Sequence, residues 1–438
     1  MSSTLIHNVT LVNEGLTFVG SVFILKEDIA LIIQEVTDIN QALKTVTAAY
    51  PKAVCEPISV VDADGLYLLP GVIDEHVHFR EPGLTHKSTI ASESRKAVLG
   101  GVTSFMDMPN CIPQTTTIDL VEDKHRIAES CSPANWSFYL GATSDNSSEI
   151  EQLDPTTNCG VKVFMGSSTG GMLLNSKEKL EFIFRHCTLP IALHCEDQDI
   201  IAANTTRYKT EYGEDPDVRF HPLIRSEEAC YRSSACAVEL AEKTGANIHI
   251  LHISTARELS LFHQGPVEEK KITAEACIPH LLFTDSDYAQ YGTAIKCNPA
   301  IKTASDRKSL REAVKSTLID TIGTDHAPHT PADKMGGALR AASGIATLPH
   351  SLTAMLNLAD EGVFSLTDIV RTMCHNPALR YHIRCRGFIR QGWKADLVLV
   401  NHTTAGWQVS RTWVNGRQVC VDGVVDETAH GQRLLFDR

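Results

Sequence analysis

The residues able to do chemistry lie in five short runs. His76 and His78 sit two apart in Pro70 to Gly83, a segment that is apolar up to Ile73 and then turns abruptly into charge and imidazole. In an extended strand, residues two apart share a face, so both rings can reach one ion. Lys162 stands inside the apolar run Val161-Lys162-Val163-Phe164, His194 and Glu196 close Leu193-His194-Cys195-Glu196, and His252 lies in Leu251-His252-Ile253-Ser254. Gly323-Thr324-Asp325-His326-Ala327-Pro328-His329 adds a carboxylate and two more imidazoles. Imidazole, carboxylate and lysine from separate segments suit zinc or a similar divalent ion. The lysine is the odd member, because a buried ammonium beside metal ions is repelled unless it is neutral or chemically converted to an anion.

These runs need a scaffold that brings them to one place. Apolar strand candidates at Tyr67 to His78, Thr103 to Met108, Ser137 to Thr143, Gly160 to Met165, Ile191 to Glu196, Asn247 to Ser254, Ile272 to Cys277 and Thr321 to His329 alternate with amphipathic stretches. The helical stretches include Lys87 to Leu99, Leu120 to Glu129, Ser176 to His186, Ile224 to Thr244 and Asp306 to Thr317. Eight such repeats predict an α/β fold, a (β/α)8 barrel of the TIM type, whose active site gathers at the carboxyl ends of the strands. A doubly wound open sheet is the competing architecture, and it lacks the Gly-rich phosphate turn it would need after the first strand.

Short β-rich pieces at Thr4 to Asn8, Gly20 to Leu25, Ala30 to Gln34 and Ala53 to Val61 read as a small antiparallel sheet, and the same texture returns in Gly387 to Val400 and Arg411 to Val419. Neither end carries enough strands to bury a face alone. One small β-sandwich domain built from residues 1–66 and 383–438, flanking a barrel over 67–382, is therefore expected.

The 438 residues carry a formal charge of −13 with no basic block, which argues against nucleic acid or an anionic membrane as partner. An anionic substrate would require positive charge concentrated locally. The 13 cysteines are scattered and never spaced as Cys-x-x-Cys, so neither a disulfide framework nor a thiolate zinc site is indicated. With no signal peptide or spanning apolar run in view, a cytoplasmic protein acting on a small molecule is expected. Oligomeric state stays open, a homodimer among the options.

A resemblance then becomes specific. His76-Val77-His78-Phe79-Arg80-Glu81-Pro82-Gly83, Gly100-Gly101-Val102-Thr103-Ser104-Phe105-Met106-Asp107-Met108-Pro109-Asn110, the Gly323 to His329 run and Ala395-Asp396-Leu397-Val398 together closely resemble the dihydroorotases of the amidohydrolase superfamily. The resemblance implies a two-zinc hydrolase. In it, His76, His78 and Asp325 bind the more buried ion, a carboxylated Lys162 bridges the pair, and His194 and His252 bind the second ion. The loop from Met165 to Met172 offers no carboxylate that could replace the bridge.

The resemblance further implies reversible closure of N-carbamoyl-L-aspartate to L-dihydroorotate in pyrimidine biosynthesis, with Asp325 as general base and acid for a metal-bridging hydroxide. A divalent ion lowers the pKa of bound water from about 15.7 to about 7, worth roughly 12 kcal/mol, more than a side-chain base alone can supply. Arg80, Asn110 and His329 match the residues that hold the substrate carboxylate, and alternation from His78 puts Arg80 on the same face. Asn298 resembles a residue near the ring, and Ser343-Gly344, in a Gly-rich rim from Lys334 expected to be mobile, offers backbone contacts. Strand seven, ending Cys277-Ile278-Pro279-His280, follows the family's Pro-His-His only in part. Allantoinase, dihydropyrimidinase or hydantoinase activity, or a non-catalytic scaffold, are the alternatives. His86, His186, His221 and His249 default to structural or surface roles.

Overall fold

The computed structural model describes residues 3–51, 57–165, 172, 174 and 176–438. Strands β1 (Ser3–Asn13), β2 (Leu16–Leu25), β3 (Asp28–Gln34), β4 (Ser59–Asp62) and β5 (Tyr67–Pro70) precede the barrel strands. Those are β6 (Val72–Val77), β7 (Val102–Asp107), β8 (Asn135–Gly141), β9 (Gly160–Met165), β10 (Ile191–Cys195), β11 (Ile248–Ile250), β12 (Ile272–Cys277) and β13 (Thr321–Gly323). The chain closes with β14 (Leu397–Thr403), β15 (Gly406–Val414), β16 (Arg417–Val421) and β17 (Val424–Val425).

The eight strands β6 to β13 pair in chain order and in parallel, as the alternation of strands and helices predicts for a (β/α)8 barrel. Helices between them begin and end where the residues dictate. Thr89 caps Ile90–Leu99 in a reciprocal box with Ser92, Ser226 caps Glu227–Thr244, and Gly245 ends the latter in a left-handed conformation. In β9, Val161 and Val163 join the main apolar core with Leu180 and Ile183 of the flanking helix, which leaves Lys162 on the opposite, barrel-facing side.

First and last strands meet by few bonds. The His78 amide donates to the His326 carbonyl at 2.7 Å, and Val77 bridges His326. Asp74 in β6 strengthens this seam, accepting from the Thr324 hydroxyl at 2.5 Å and the Thr324 amide at 3.2 Å just beyond β13. Both groups are buried, and burial pushes the Asp74 carboxyl up to about 7 against those hydrogen bonds.

Strands from both termini form one nine-stranded sheet ordered β17-β16-β15-β14-β5-β1-β2-β3, with β4 also on β1. It is not antiparallel throughout, because the helix Ile39–Ala49 carries the chain back so that β4 and β5 both run parallel to β1. Ile6, Val22, Leu397 and Trp413 fill one apolar cluster of this sheet, while Leu5, Phe23 and Val46 fill another. Residues 53–56 of the expected strand Ala53 to Val61 lie outside the described residues.

Three expected strands are shorter than their apolar patterns. Tyr67 to His78 breaks at Gly71, whose amide donates to the Asp396 carbonyl. Before it, β5 pairs with β1 and β14; after it, β6 enters the barrel. Asn247 to Ser254 contracts to β11, and Thr321 to His329 contracts to β13, because the chain turns out of the sheet before the polar residues.

A Cβ on Gly71 would lie 2.1 Å from Thr103 Oγ1 and 2.4 Å from its Cγ2, and Thr103 is fully buried. Gly71→Ala should therefore cost about 1–3 kcal/mol of stability by overpacking, read as a lower denaturant midpoint, and Thr103→Ala in the same chain should recover part of it. An unchanged midpoint would show that the passage between the two sheets tolerates a side chain.

Candidate active site

One cavity of about 390 Å³ at the mouth of the barrel is lined by every residue that the sequence nominated: His76, His78, Arg80, Asn110, Lys162, His194, His252, Asn298, Asp325, His329 and Gly344. Eleven residues from widely separated runs are thus brought together by the strand ends.

On one side, Asp325 Oδ1 lies 3.3 Å from His76 Nε2 and 3.0 Å from His78 Nε2, so a carboxylate and two imidazoles converge within the span of a single cation. The far nitrogen of each ring is tied down. His76 Nδ1 is 2.8 Å from Glu275 Oε1, and His78 Nδ1 is 2.6 Å from Asn110 Oδ1. Such outer partners orient each ring and direct Nε2 inward, where it meets Asp325 or an ion. Although burial alone would raise the Asp325 carboxyl, the positive potential of His76 and the His78 hydrogen bond hold it well below the usual carboxylate range, so it is ionised at neutral pH.

On the other side, His194 Nδ1 and His252 Nε2 face each other at 2.9 Å. His194 Nε2 contacts Glu196 Oε2 at 3.0 Å, and Glu196 is itself clamped by the Arg225 guanidinium, with Nε 3.0 Å from Oε1. The His252 amide donates to Glu275 Oε1 at 2.9 Å, so Glu275 anchors ligand candidates on both sides. Lys162 is buried, and burial lowers its ammonium to about 8 against the opposing charges of Asp325 and Glu275. A lysine of that kind is partly neutral near physiological pH and nucleophilic enough to take up carbon dioxide. Two imidazole pairs, one carboxylate and a reactive lysine fit a pair of divalent ions.

Backbone conformation explains how the side chains arrive. Arg80 has φ 69°, His252 φ 42° and Asp325 φ 47°, all in the left-handed region that non-glycine residues rarely occupy. Arg80 reaches the cavity through this turn and not by strand alternation from His78, which corrects the reason expected from sequence while keeping the placement. Its Nε donates to the Pro328 carbonyl at 3.3 Å, and Nη2 lies 3.2 Å from His329 Nε2. Asn298 Oδ1 receives a contact from His221 Nε2 at 3.1 Å. Gly344 φ is 147°, and a Cβ there would lie 2.5 Å from the Ala327 carbonyl and 2.9 Å from His329 Cδ2, so only glycine lets this rim approach His329.

The rim is not a free flap. Lys334 Nζ donates to the carbonyls of Lys296, Ala342 and Gly344 at 2.9–3.1 Å, and Asp215 accepts the amides of Gly337, Leu339 and Arg340. These bonds tie the Gly-rich rim to the body of the barrel. Residues 166–171, where no replacement carboxylate was expected, lie outside the described residues.

Several participants received no role in the sequence reading. Glu275 is the one charge in β12, Glu196 follows His194 by two, and His221, expected to be structural or surface, lines the cavity with Lys87, Arg225 and Lys296. A lone carboxylate in an otherwise small and apolar strand was the available signal for Glu275. Among the described lining residues, Asp325 is the single carboxylate beside the basic side chains Arg80, Lys87, Lys162, Arg225 and Lys296, of which Arg225 is paired with Glu196. An acidic chain of charge −13 has gathered positive charge at one place.

Comparison with known proteins agrees with this architecture. A model of the amidohydrolase family matches residues 67–419. A dihydroorotase of Halobacterium salinarum is 34% identical over 344 residues, covering 78% of each chain, and an allantoinase of Bacillus velezensis is 31% identical over 349 residues, covering 78% of this chain and 76% of that one. The solved structure of an L-hydantoinase (dihydropyrimidinase) from Arthrobacter aurescens superposes with a TM-score of 0.89 at 26% identity, over 99% of this chain and 100% of that one. With a family match across four-fifths of its length and the barrel mouth just described, the chain belongs to the amidohydrolase family.

Proposed function

We propose that this hydrolase of cyclic amides is a dihydroorotase, reversibly closing N-carbamoyl-L-aspartate to L-dihydroorotate in pyrimidine biosynthesis. The observation that carries the reading is the Arg80 guanidinium, buried in the cavity wall with Nη2 3.2 Å from His329 Nε2, in a cavity whose other lining charges are mostly positive. A buried guanidinium fork without a carboxylate of its own calls for an anionic ligand, and dihydroorotate carries a ring carboxylate. Arg80 makes no ion pair among the described residues.

His76, His78, Asp325 and Lys162 would hold one divalent ion, and Lys162, His194 and His252 a second, zinc being the ion that suits this donor set. Lys162 would serve both only as its carbamate, which removes the buried positive charge and supplies two oxygens. Bound in this way, divalent ions furnish a nucleophile at neutral pH and polarise the ring carbonyl. Asp325, ionised and in hydrogen-bond reach of both His76 and His78, takes the proton of the attacking water and delivers it to the departing ring nitrogen. In ring closure the same carboxylate removes a proton from the ureido nitrogen and returns it to the departing oxygen. Arg80, Asn110 and His329 orient the carboxylate, and Asn298 and the Gly344 backbone face the ring.

A hydrolase of uncharged rings would leave the Arg80 fork without a ligand, and a scaffold without activity would have no reason to keep six ligand candidates and their outer partners. No helix among the described residues is long and apolar enough to cross a membrane, in keeping with a diffusing metabolite as substrate.

Purified enzyme loaded with zinc should turn over dihydroorotate and leave allantoin and dihydrouracil essentially untouched; turnover confined to the latter two would refute the assignment. Arg80→Ala should raise KM for dihydroorotate roughly 10- to 100-fold, the equivalent of about 1.5–3 kcal/mol for hydrogen bonds to a charged group, while zinc content stays at the wild-type level. A KM equal to that of the wild type would remove Arg80 from carboxylate recognition.

A further inference from the structure

Lys87 has no part in the reaction as described, yet it lines the cavity. It lies in the turn segment between β6 and the helix Ile90–Leu99, its amide bonded to the Leu84 carbonyl. Its Nζ stands 3.1 Å from His329 Nδ1 and 3.5 Å from Asp333 Oδ2. An ammonium offers three N–H donors and no acceptor, so His329 Nδ1 must present a lone pair to it. The opposite nitrogen, Nε2, lies 3.0 Å from the Ser343 carbonyl, which can only accept, so Nε2 carries the ring's single proton. Lys87 and Ser343 thus favour one tautomer from both ends, against the Arg80 N–H that faces the same Nε2 at 3.2 Å.

Every charge around the ring supports a neutral imidazole except one. Burial and the positive charges of Arg80, Lys87 and Lys334 press His329 down to about 3, while Asp333, 3.9 Å from Nδ1, is the opposing carboxylate. The alternative neutral tautomer would put the proton on Nδ1, against the Lys87 ammonium, and a lone pair on Nε2. That lone pair would sit 3.2 Å from Arg80 Nη2 and accept its N–H, diverting the guanidinium from any ligand.

We propose that Lys87 is a positioning residue for substrate carboxylate binding: by donating to His329 Nδ1 it holds the tautomer whose Nε2–H, shared with the Ser343 carbonyl, stands beside the Arg80 fork, so that His329 does not accept from the guanidinium and leaves it to the ligand. This inference rests on the reading that Arg80 and His329 bind the carboxylate of the ring. It makes Lys87 a determinant of affinity for charged rings that acts without touching the reacting atoms.

The test uses the zinc-loaded enzyme with Lys87→Met, which keeps the aliphatic stem and removes the donor, Lys87→Arg, which retains a donor, and each combined with Arg80→Ala. Lys87→Met should raise KM for dihydroorotate about tenfold, with kcat within about twofold of wild type and zinc content unchanged, and Lys87→Arg should restore most of the loss. In the Arg80→Ala background, Lys87→Met should add little, since its effect passes through the same clamp. An unchanged KM in Lys87→Met, a fall in kcat that parallels loss of zinc, or full additivity with Arg80→Ala would each overturn the proposal. Should Arg80→Ala raise KM while Lys87→Met does not, the role of Lys87 falls and carboxylate recognition by Arg80 stands. Should neither raise it, both fall together.

Discussion

The seam where β6 meets β13 is the constraint on which the site depends. His76 and His78 come from the start of the barrel and Asp325 from its end, almost 250 residues later, and they converge only because the sheet closes there. Asp74 holds the closure from inside, bonding the Thr324 hydroxyl and amide one residue before Asp325 and the His76 amide at 3.2 Å in its own strand. A single buried carboxyl therefore fixes the backbone that carries ligand candidates on both sides of the seam. Hydrogen bonds of this kind cost little when fully matched and a great deal when broken, because each partner is left buried and unpaired.

From this seam outward the site is layered by charge. Nearest the barrel axis, Glu275 anchors His76 and the His252 backbone; further out, Glu196 and Arg225 hold His194 as a neutralised pair. Arg80, Lys87 and Lys296 line the mouth itself. In a chain of net charge −13 this arrangement draws anions to one opening and presents an acidic surface elsewhere. Lys162 stands where these layers meet, and its charge state decides whether the inner cavity repels or welcomes divalent ions.

Much of this was legible in the residues. Alternating apolar strands and amphipathic helices predict the barrel, and the polar residues that interrupt otherwise apolar strand ends identify His76, His78, Lys162, His194, His252 and Asp325, while Asn110, Asn298, His329 and Gly344 come from the resemblance to the dihydroorotases. What escaped notice has physical reasons. The break at Gly71 depends on Thr103, a neighbour in another strand, and no local pattern announces it. The left-handed turns at Arg80, His252 and Asp325 are announced by no glycine, so strand alternation accounts for His76 and His78 and fails two residues later. Glu275 and Glu196 act through contacts with histidines, and pairing of that kind emerges only once the strands are side by side. The rim from Lys334 to Gly344 looks loose from its glycines, yet its backbone groups are taken up by Lys334 and Asp215.

The proposed chemistry requires a carboxylated Lys162 between two divalent ions at the barrel mouth. Crystallographic density at the tip of Lys162, with anomalous scattering at the zinc edge, tests it most directly. The expected result is a planar three-atom extension on Nζ flanked by two anomalous peaks, one against His76, His78 and Asp325 and one against His194 and His252. A bare ammonium with no peak at either position, in crystals grown with zinc and bicarbonate, would contradict it.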